Sequence, residues 1–174
     1  KNALAAVTVA RRLGASFDDI SQAAKEFTGV FRRFEIKGER DGMIFIDDYA
    51  HHPTEIKASL KAAREGWKRR IVCIFQPHTY TRTQRFYKEF GRSFDNADML
   101  VVTDVYPARE KPIEGINGKL IADAAAQYGH RGVHYFPEKE TLMQNVTDIV
   151  REGDIVITMG AGDIWKLGDE LLNK

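Results

Sequence analysis

Residues 47–52, Asp47-Asp48-Tyr49-Ala50-His51-His52, crowd carboxylates, a phenol and imidazoles into one short connection. The apolar run before them reads as a buried strand, and Pro53 after them is tolerated only in the first turn of a helix. A connection of that kind at the carboxyl edge of a parallel strand is where α/β folds bind ligands. Other apolar runs lead into Gln76-Pro77-His78-Thr79-Tyr80-Thr81-Arg82-Thr83, Asp104-Val105-Tyr106-Pro107-Ala108-Arg109-Glu110 and Gly160-Ala161-Gly162-Asp163. If these strands are parallel, His51, His52, His78, Arg82 and Arg109 face one crevice, cationic and lined with hydroxyls. Such a crevice suits a small carboxylate or a phosphate.

Each of these readings has a plainer counterpart. Arg82 can grip a carboxylate through two parallel hydrogen bonds, a geometry lysine does not supply, but a helix-entry arginine can also simply pair with a nearby acid. His51 and His52 with His78 and Asp48 invite a metal; consecutive loop residues rarely aim at one ion, and no i, i+4 or Cys-x-x-Cys spacing supports it. The expectation is therefore no metal here, and a histidine that orients a substrate amine or carboxylate. The turn at 160–163 opens a helix whose free amides could cradle an anion. It lacks the Lys-Ser or Lys-Thr of a phosphate loop, so a tight strand-to-helix turn relieved by glycine is the simpler reading. If ATP is used, most of its site lies outside these residues.

The elements that must position these groups follow from periodicity. Strands are expected at 43–47, 70–75, 99–103, 133–136 and 154–159, with an extra one around 34–38; nearly continuous Val, Ile, Leu and Phe imply burial on both faces. Helical spacing recurs in Ile56, Leu60 and Ala63, in Phe86, Phe90 and Phe94, and in Leu142, Val146 and Ile149. The phenylalanine row reads as a core stripe, not an aromatic platform. Ahead of these, residues 4–13 form an alanine-rich helical stretch ending at Gly14, and Ser16-Phe17-Asp18-Asp19 starts a second helix carrying Phe17, Ile20, Ala24 and Phe27. The expected fold is α/β, a Rossmann-like, mostly parallel sheet of about five or six strands flanked by helices. A helical segment, 1–29, precedes the α/β domain, 30–174.

Composition narrows the class. A chain of 174 residues, 43% hydrophobic and 29% charged, suffices for one well-buried domain and a small appendage. With 26 basic and 25 acidic side chains the net charge is +1, so no global field draws it to nucleic acid or to a membrane, and neither is expected as a partner. Lys68-Arg69-Arg70 and Arg11-Arg12 read as solvated surface. The single cysteine, Cys73, lies in an apolar run and reads as a small core residue, which fits a reducing cytoplasmic setting. No apolar stretch approaches the ~20 residues that span a bilayer, and the start does not resemble a signal peptide. The chain opens on Lys1, so a piece of a longer protein is expected.

Four stretches then point one way: Asp47-Asp48-Tyr49-Ala50-His51-His52-Pro53-Thr54-Glu55, Phe75 through Thr83, Asp104 through Glu110, and Thr158-Met159-Gly160-Ala161-Gly162-Asp163-Ile164. In this order they resemble the C-terminal motifs of the Mur ligase family, in its branch that joins L-alanine to UDP-N-acetylmuramate, the first amino-acid addition of the peptidoglycan peptide. Asn2-Ala3-Leu4-Ala5-Ala6 resembles the end of that family's central ATPase domain, and Phe31-Arg32-Arg33-Phe34-Glu35 its interdomain junction. The resemblance implies a cytoplasmic, ATP-dependent bacterial ligase. It also implies that ATP and Mg2+ are held mostly by a central domain and the uridine nucleotide by an N-terminal domain, neither within these residues. By the same resemblance Asn2 lies near the adenine, Arg33 and Asp48 reach the nucleotide, and His51, His52, His78 and Arg82 line the L-alanine site. Many relatives carry arginine where this chain has Thr79, which leaves the carboxylate to Arg82, alone or with a histidine. The rivals are a murein tripeptide ligase, which shares the motifs but admits a bulkier amine, and a free-standing doubly wound binding module.

Overall fold

The structure, a computed structural model, describes residues 2–27 and 29–174. The chain divides into two compact units, 1–30 and 31–174. In the smaller one, α1 (Asn2–Arg12) and α2 (Phe17–Glu26) fall where composition places helices, and Ser16 Oγ accepts the Asp19 amide at 3.1 Å as the cap of α2. Their apolar residues stay uncovered: Leu4, Val9, Leu13, Phe17 and Phe27 are exposed, and α2 buries no residue. Asn2 opens α1; its side chain lies outside what the structure describes.

The larger unit runs β1 (Glu35–Arg40), β2 (Met43–Asp48), α3 (Pro53–Gly66), β3 (Ile71–Phe75), α4 (Tyr80–Gly91), β4 (Met99–Val102), α5 (Lys119–Gln127), β5 (Val133–Tyr135), α6 (Lys139–Ile149), β6 (Ile155–Met159) and α7 (Trp165–Leu172). Its strands form one sheet in the order β1-β2-β6-β3-β4-β5, parallel except for β1 against β2. Alternation of side chains along each strand sorts the core into two layers. Ile44, Ile46, Ile71, Cys73, Phe75 and Ile157 meet Ile56 and Leu60 of α3, Phe90 of α4 and Ile121 of α5. Phe45, Val72, Ile74 and Val156 meet Leu142 and Val146 of α6 and Leu167 and Leu171 of α7. Both faces are covered, which is why the strands read as unbroken apolar runs, each large side chain contributing about 1.5–3 kcal/mol over exposure. Burial pushes the Cys73 thiol far above its usual range, so it is inert.

Two elements depart from the sequence reading. The strand expected around 34–38 starts at Glu35, reaches Arg40 and folds back on β2 through Asp41-Gly42, both at positive φ (49° and 69°). Asp-Gly is a two-residue hairpin signal, and the half-exposed edge position explains the weak apolar pattern of β1. Helix α5 packs through Ile121, Ala122, Ala124 and Ala125, a three-four row whose small alanine side chains make a weak signal in the sequence.

Candidate functional site

Because β2, β3, β4 and β6 are parallel, the connections after them all discharge at one rim. The His51 and His78 rings lie 6.0 Å apart, edge to face, and Arg82 Nη1 sits 3.2 Å from His78 Nδ1. Residues 27 positions apart thus meet, from the segment leading into α4 and the loop ahead of α3.

The rim is held by an arginine that sequence reasoning did not single out. Arg32 is 9% exposed; its Nε donates to Asp47 Oδ2 at 2.7 Å, Nη2 to the Gly160 carbonyl at 2.7 Å and Nη1 to the Gly162 carbonyl at 3.1 Å. Thr158 Oγ1 donates to the other Asp47 oxygen at 2.8 Å. One guanidinium therefore ties the β2 end to the turn after β6. The signal for it was Asp47 itself, a carboxylate at the end of a buried strand that must find a cation. Asp48 is 4% exposed, and its oxygens accept from the Ala50 amide and the Ser59 hydroxyl. Burial raises its pKa, opposed by those two bonds and by Arg33. Arg33 keeps half its side chain exposed, 5.3 Å from the Tyr49 ring and 3.9 Å from Glu55.

The adjacent histidines do different things. His52 Nδ1 accepts the Thr54 amide at 3.4 Å as N-cap of α3, and its ring meets the Phe86 edge at 5.1 Å. Glu55 completes the capping box by accepting the amides of His51 and His52. Burial opposes ionisation of Glu55, but those amides, the His51 Nδ1 3.4 Å away and the Arg33 guanidinium outweigh it and lower its pKa. His51 points its Nδ1 at the Tyr49 carbonyl, 2.9 Å away, so this nitrogen carries the proton and Nε2 of the neutral ring is an acceptor. His78 is the converse. A guanidinium only donates, so Nδ1 facing Arg82 must accept and Nε2 carries the N–H. Burial first, then Arg82 and His51, hold the His78 pKa below its ordinary value. Tyr106, also not singled out beforehand, stacks on His78 at 5.8 Å.

Arg82 has no carboxylate within ion-pair range among the described residues. A guanidinium beside one neutral N–H donor and one imidazole acceptor can take a carboxylate and an amine at once. Arg109 is exposed and does not join this cluster. In the 160–163 turn two amides are used internally: Gly160 N donates to the Asp48 carbonyl and Asp163 N to Gln76 Oε1. A Cβ on Gly162 would strike Gln76 Oε1 and lie 2.7 Å from Tyr106 Cγ. Close packing, not a phosphate cradle, accounts for these glycines. The cleft lined by Gln76, Thr103, Leu142 and Leu167 on the α6–α7 side contains none of the clustered cations.

The sequence of this mostly parallel α/β domain matches the family described as "Mur ligase, glutamate ligase domain" over residues 32–162; the chain belongs to the Mur ligase family. It is 55% identical over 170 residues to the UDP-N-acetylmuramate–L-alanine ligase of Salinibacter ruber, covering 97% of this chain and 36% of that protein. It is also similar to the crystal structure of the UDP-N-acetylmuramate–alanine ligase MurC of Thermotoga maritima, with a TM-score of 0.83 and 31% identity over 99% of this chain and 36% of that one. A murein peptide ligase from Psychrobacter arcticus shares the fold, with a TM-score of 0.71 at 23% identity, over 99% of this chain and 35% of that one. The chain thus spans little more than a third of the relatives it matches. Among the described residues no helix is long and apolar enough to cross a membrane.

Proposed function

We propose that this chain is the amino-acid-binding domain of an ATP-dependent ligase that joins L-alanine to UDP-N-acetylmuramate in peptidoglycan synthesis, in the bacterial cytoplasm, with residues 1–29 the helical end of a preceding ATPase domain. The observation that carries it is Arg82 beside His78 and His51 with no carboxylate in ion-pair range of its guanidinium among the described residues, on a chain 55% identical to a ligase of that name. Arg82 and His78 Nε2–H hold the alanine carboxylate; His51 Nε2 accepts from the amine. Thr79, where the resemblance implies an arginine in many relatives, leaves the carboxylate to this pair.

The chemistry explains the division of labour. Activating a carboxylate with ATP gives an acyl phosphate that water destroys, so the amine must arrive in a closed cleft. A domain that carries alanine by its carboxylate and closes onto the ATPase supplies both positioning and water exclusion. ATP and Mg2+ belong, on this reading, to the part of the relatives this chain does not span. Arg33, half exposed, is suited to a phosphate oxygen, and Asp48, with both oxygens engaged, acts by shaping the loop. Asn2 is carried as an adenine neighbour on the resemblance alone.

In the ligase bearing this domain, Arg82→Ala is expected to raise the KM for L-alanine about tenfold or more, since a hydrogen-bonded charge contributes ~1.5–3 kcal/mol. An unchanged KM would remove Arg82 from this role. A murein tripeptide outcompeting L-alanine as amine donor would replace the reading with the tripeptide ligase, and tight ATP binding by this chain alone would favour a free-standing module.

A further inference from the structure

Helix α4, which carries Arg82, starts badly. Thr79 sits at φ +66° and offers no side-chain cap, so the first-turn amides need a partner from elsewhere. That partner is Glu110, on the connection between β4 and α5: its carboxylate accepts the Thr81 amide at 2.9 Å and the Thr81 hydroxyl at 2.5 Å. The hydroxyl and amide of Thr81, then the amide of Tyr80, lower the Glu110 pKa. The connection is a closed loop. Asp104 Oδ1 gathers the amides of Val105 and Gly118 at its base, and Tyr106 is laced to the 77–79 segment by Tyr106 N to the Pro77 carbonyl and Thr79 N to the Tyr106 carbonyl. Tyr106 then lies flat against His78. A solvent-facing carboxylate gains little from a lone surface contact. Here it closes a loop whose aromatic residue supports a site histidine.

We propose that Glu110 is a positioning residue: it latches the 104–118 loop onto the N-terminus of α4 and so sets the geometry and width of the amino-acid subsite. This rests on the function proposed above. Two consequences follow from the contacts. The helix end that could itself have attracted a substrate carboxylate is already occupied by an anion, so the substrate is directed to Arg82 and His78. Tyr106, fixed by the latch, stands as a wall beside His78 that a larger amino acid would have to displace.

The test uses Glu110→Ala and Glu110→Gln in the ligase, with Glu114→Gln, an exposed acid on the same loop, as control. Glu110→Ala is expected to raise the KM for L-alanine about fivefold, with kcat within about twofold, and to narrow the preference for L-alanine over L-2-aminobutyrate. Glu110→Gln, which keeps one acceptor oxygen, should recover most of the loss. Unchanged KM and preference in Glu110→Ala, or a fall in kcat alone, would overturn the proposal. A second readout does not depend on the ligase reading: in this chain, amide exchange at Thr81 should quicken and the His78 imidazole resonances should move in Glu110→Ala. If neither changes, there is no latch. If both change but wild-type enzyme shows no L-alanine-dependent turnover, the proposed function fails and the latch stands.

Discussion

Cations cluster at both rims of the sheet, and only one rim is balanced. At the amino rim Arg64 holds Asp98 at 2.6 Å and the Asn96 and Arg69 carbonyls, Arg69 holds the Gly42 carbonyl, and Arg70 holds Asp154 at 3.0 Å with the Ile149 carbonyl. These arginines bind the chain ends of neighbouring elements, which gives Arg69 and Arg70 of the basic run a structural job at the start of β3. At the carboxyl rim Arg32 is equally saturated, but Arg82 faces an imidazole instead of a carboxylate. In sequence the clusters look alike. The physical difference is whether the fold itself supplies the anion, and where it does not, a ligand can.

That contrast predicts which substitutions damage the fold and which damage binding. The largest effect belongs to the buried pair: Arg32→Ala leaves Asp47 uncompensated at 2% exposure and should destabilise the domain by about 3–5 kcal/mol, read from the urea midpoint. A midpoint shift below about 1 kcal/mol would mean water or another donor reaches Asp47 on opening. Next comes a matched pair of experiments across the rims. Arg70→Ala should cost about 1.5–3 kcal/mol of stability and leave the KM for L-alanine unaltered, whereas Arg82→Ala should do the reverse. Equal stability losses at the two rims would erase the distinction between them.

The carboxyl rim was legible in the sequence because parallel βα units force loops together whatever their spacing, so the apolar runs alone placed 47–55 beside 78–82. What was not legible has particular causes. The antiparallel β1 is half exposed and lacks a strong pattern, although Asp41-Gly42 marks its turn. Arg32 lies 15 positions before its partner Asp47, and no local spacing rule links them. Glu110 reaches α4 across a loop, so neither residue shows the contact in its own neighbourhood. His51 and His52 differ only because Pro53 fixes the start of α3, which turns the residue just before it into the cap.

A smaller effect tests the electrostatics at the open rim. His78 is held below its ordinary value of 6.5 by burial, then by Arg82 and His51, with Glu110 opposing. The unfolded chain takes up that proton near 6.5 while the native one resists, so this contribution to stability is complete above the ordinary value and declines as the pH drops below it. The lowered carboxylates Glu55, Glu110 and Asp98 start from 4.5, 4.5 and 3.8 and so act in a more acidic range. In His78→Gln the urea midpoint should depend less on pH across the upper window. An identical slope in both proteins would mean that the His78 imidazole is neither buried nor faced by Arg82 in solution.

The smallest expected change is also the sharpest discriminator within the site, because it separates two adjacent residues of one type. His52 uses Nδ1 as the cap of α3 and leans its ring on Phe86, so asparagine, an equally good cap, should replace it with a stability change within about 0.5 kcal/mol. The KM for L-alanine should then move by less than about twofold, a difference under 0.5 kcal/mol. His51→Asn removes the acceptor beside His78 and should raise that KM well beyond its neighbour's value. Parallel rises in both variants would return His52 to the binding site and make its capping bond incidental. A rise in His52→Asn accompanied by loss of α3 helicity would instead assign the effect to a displaced Glu55, whose carboxylate holds the amides of both histidines.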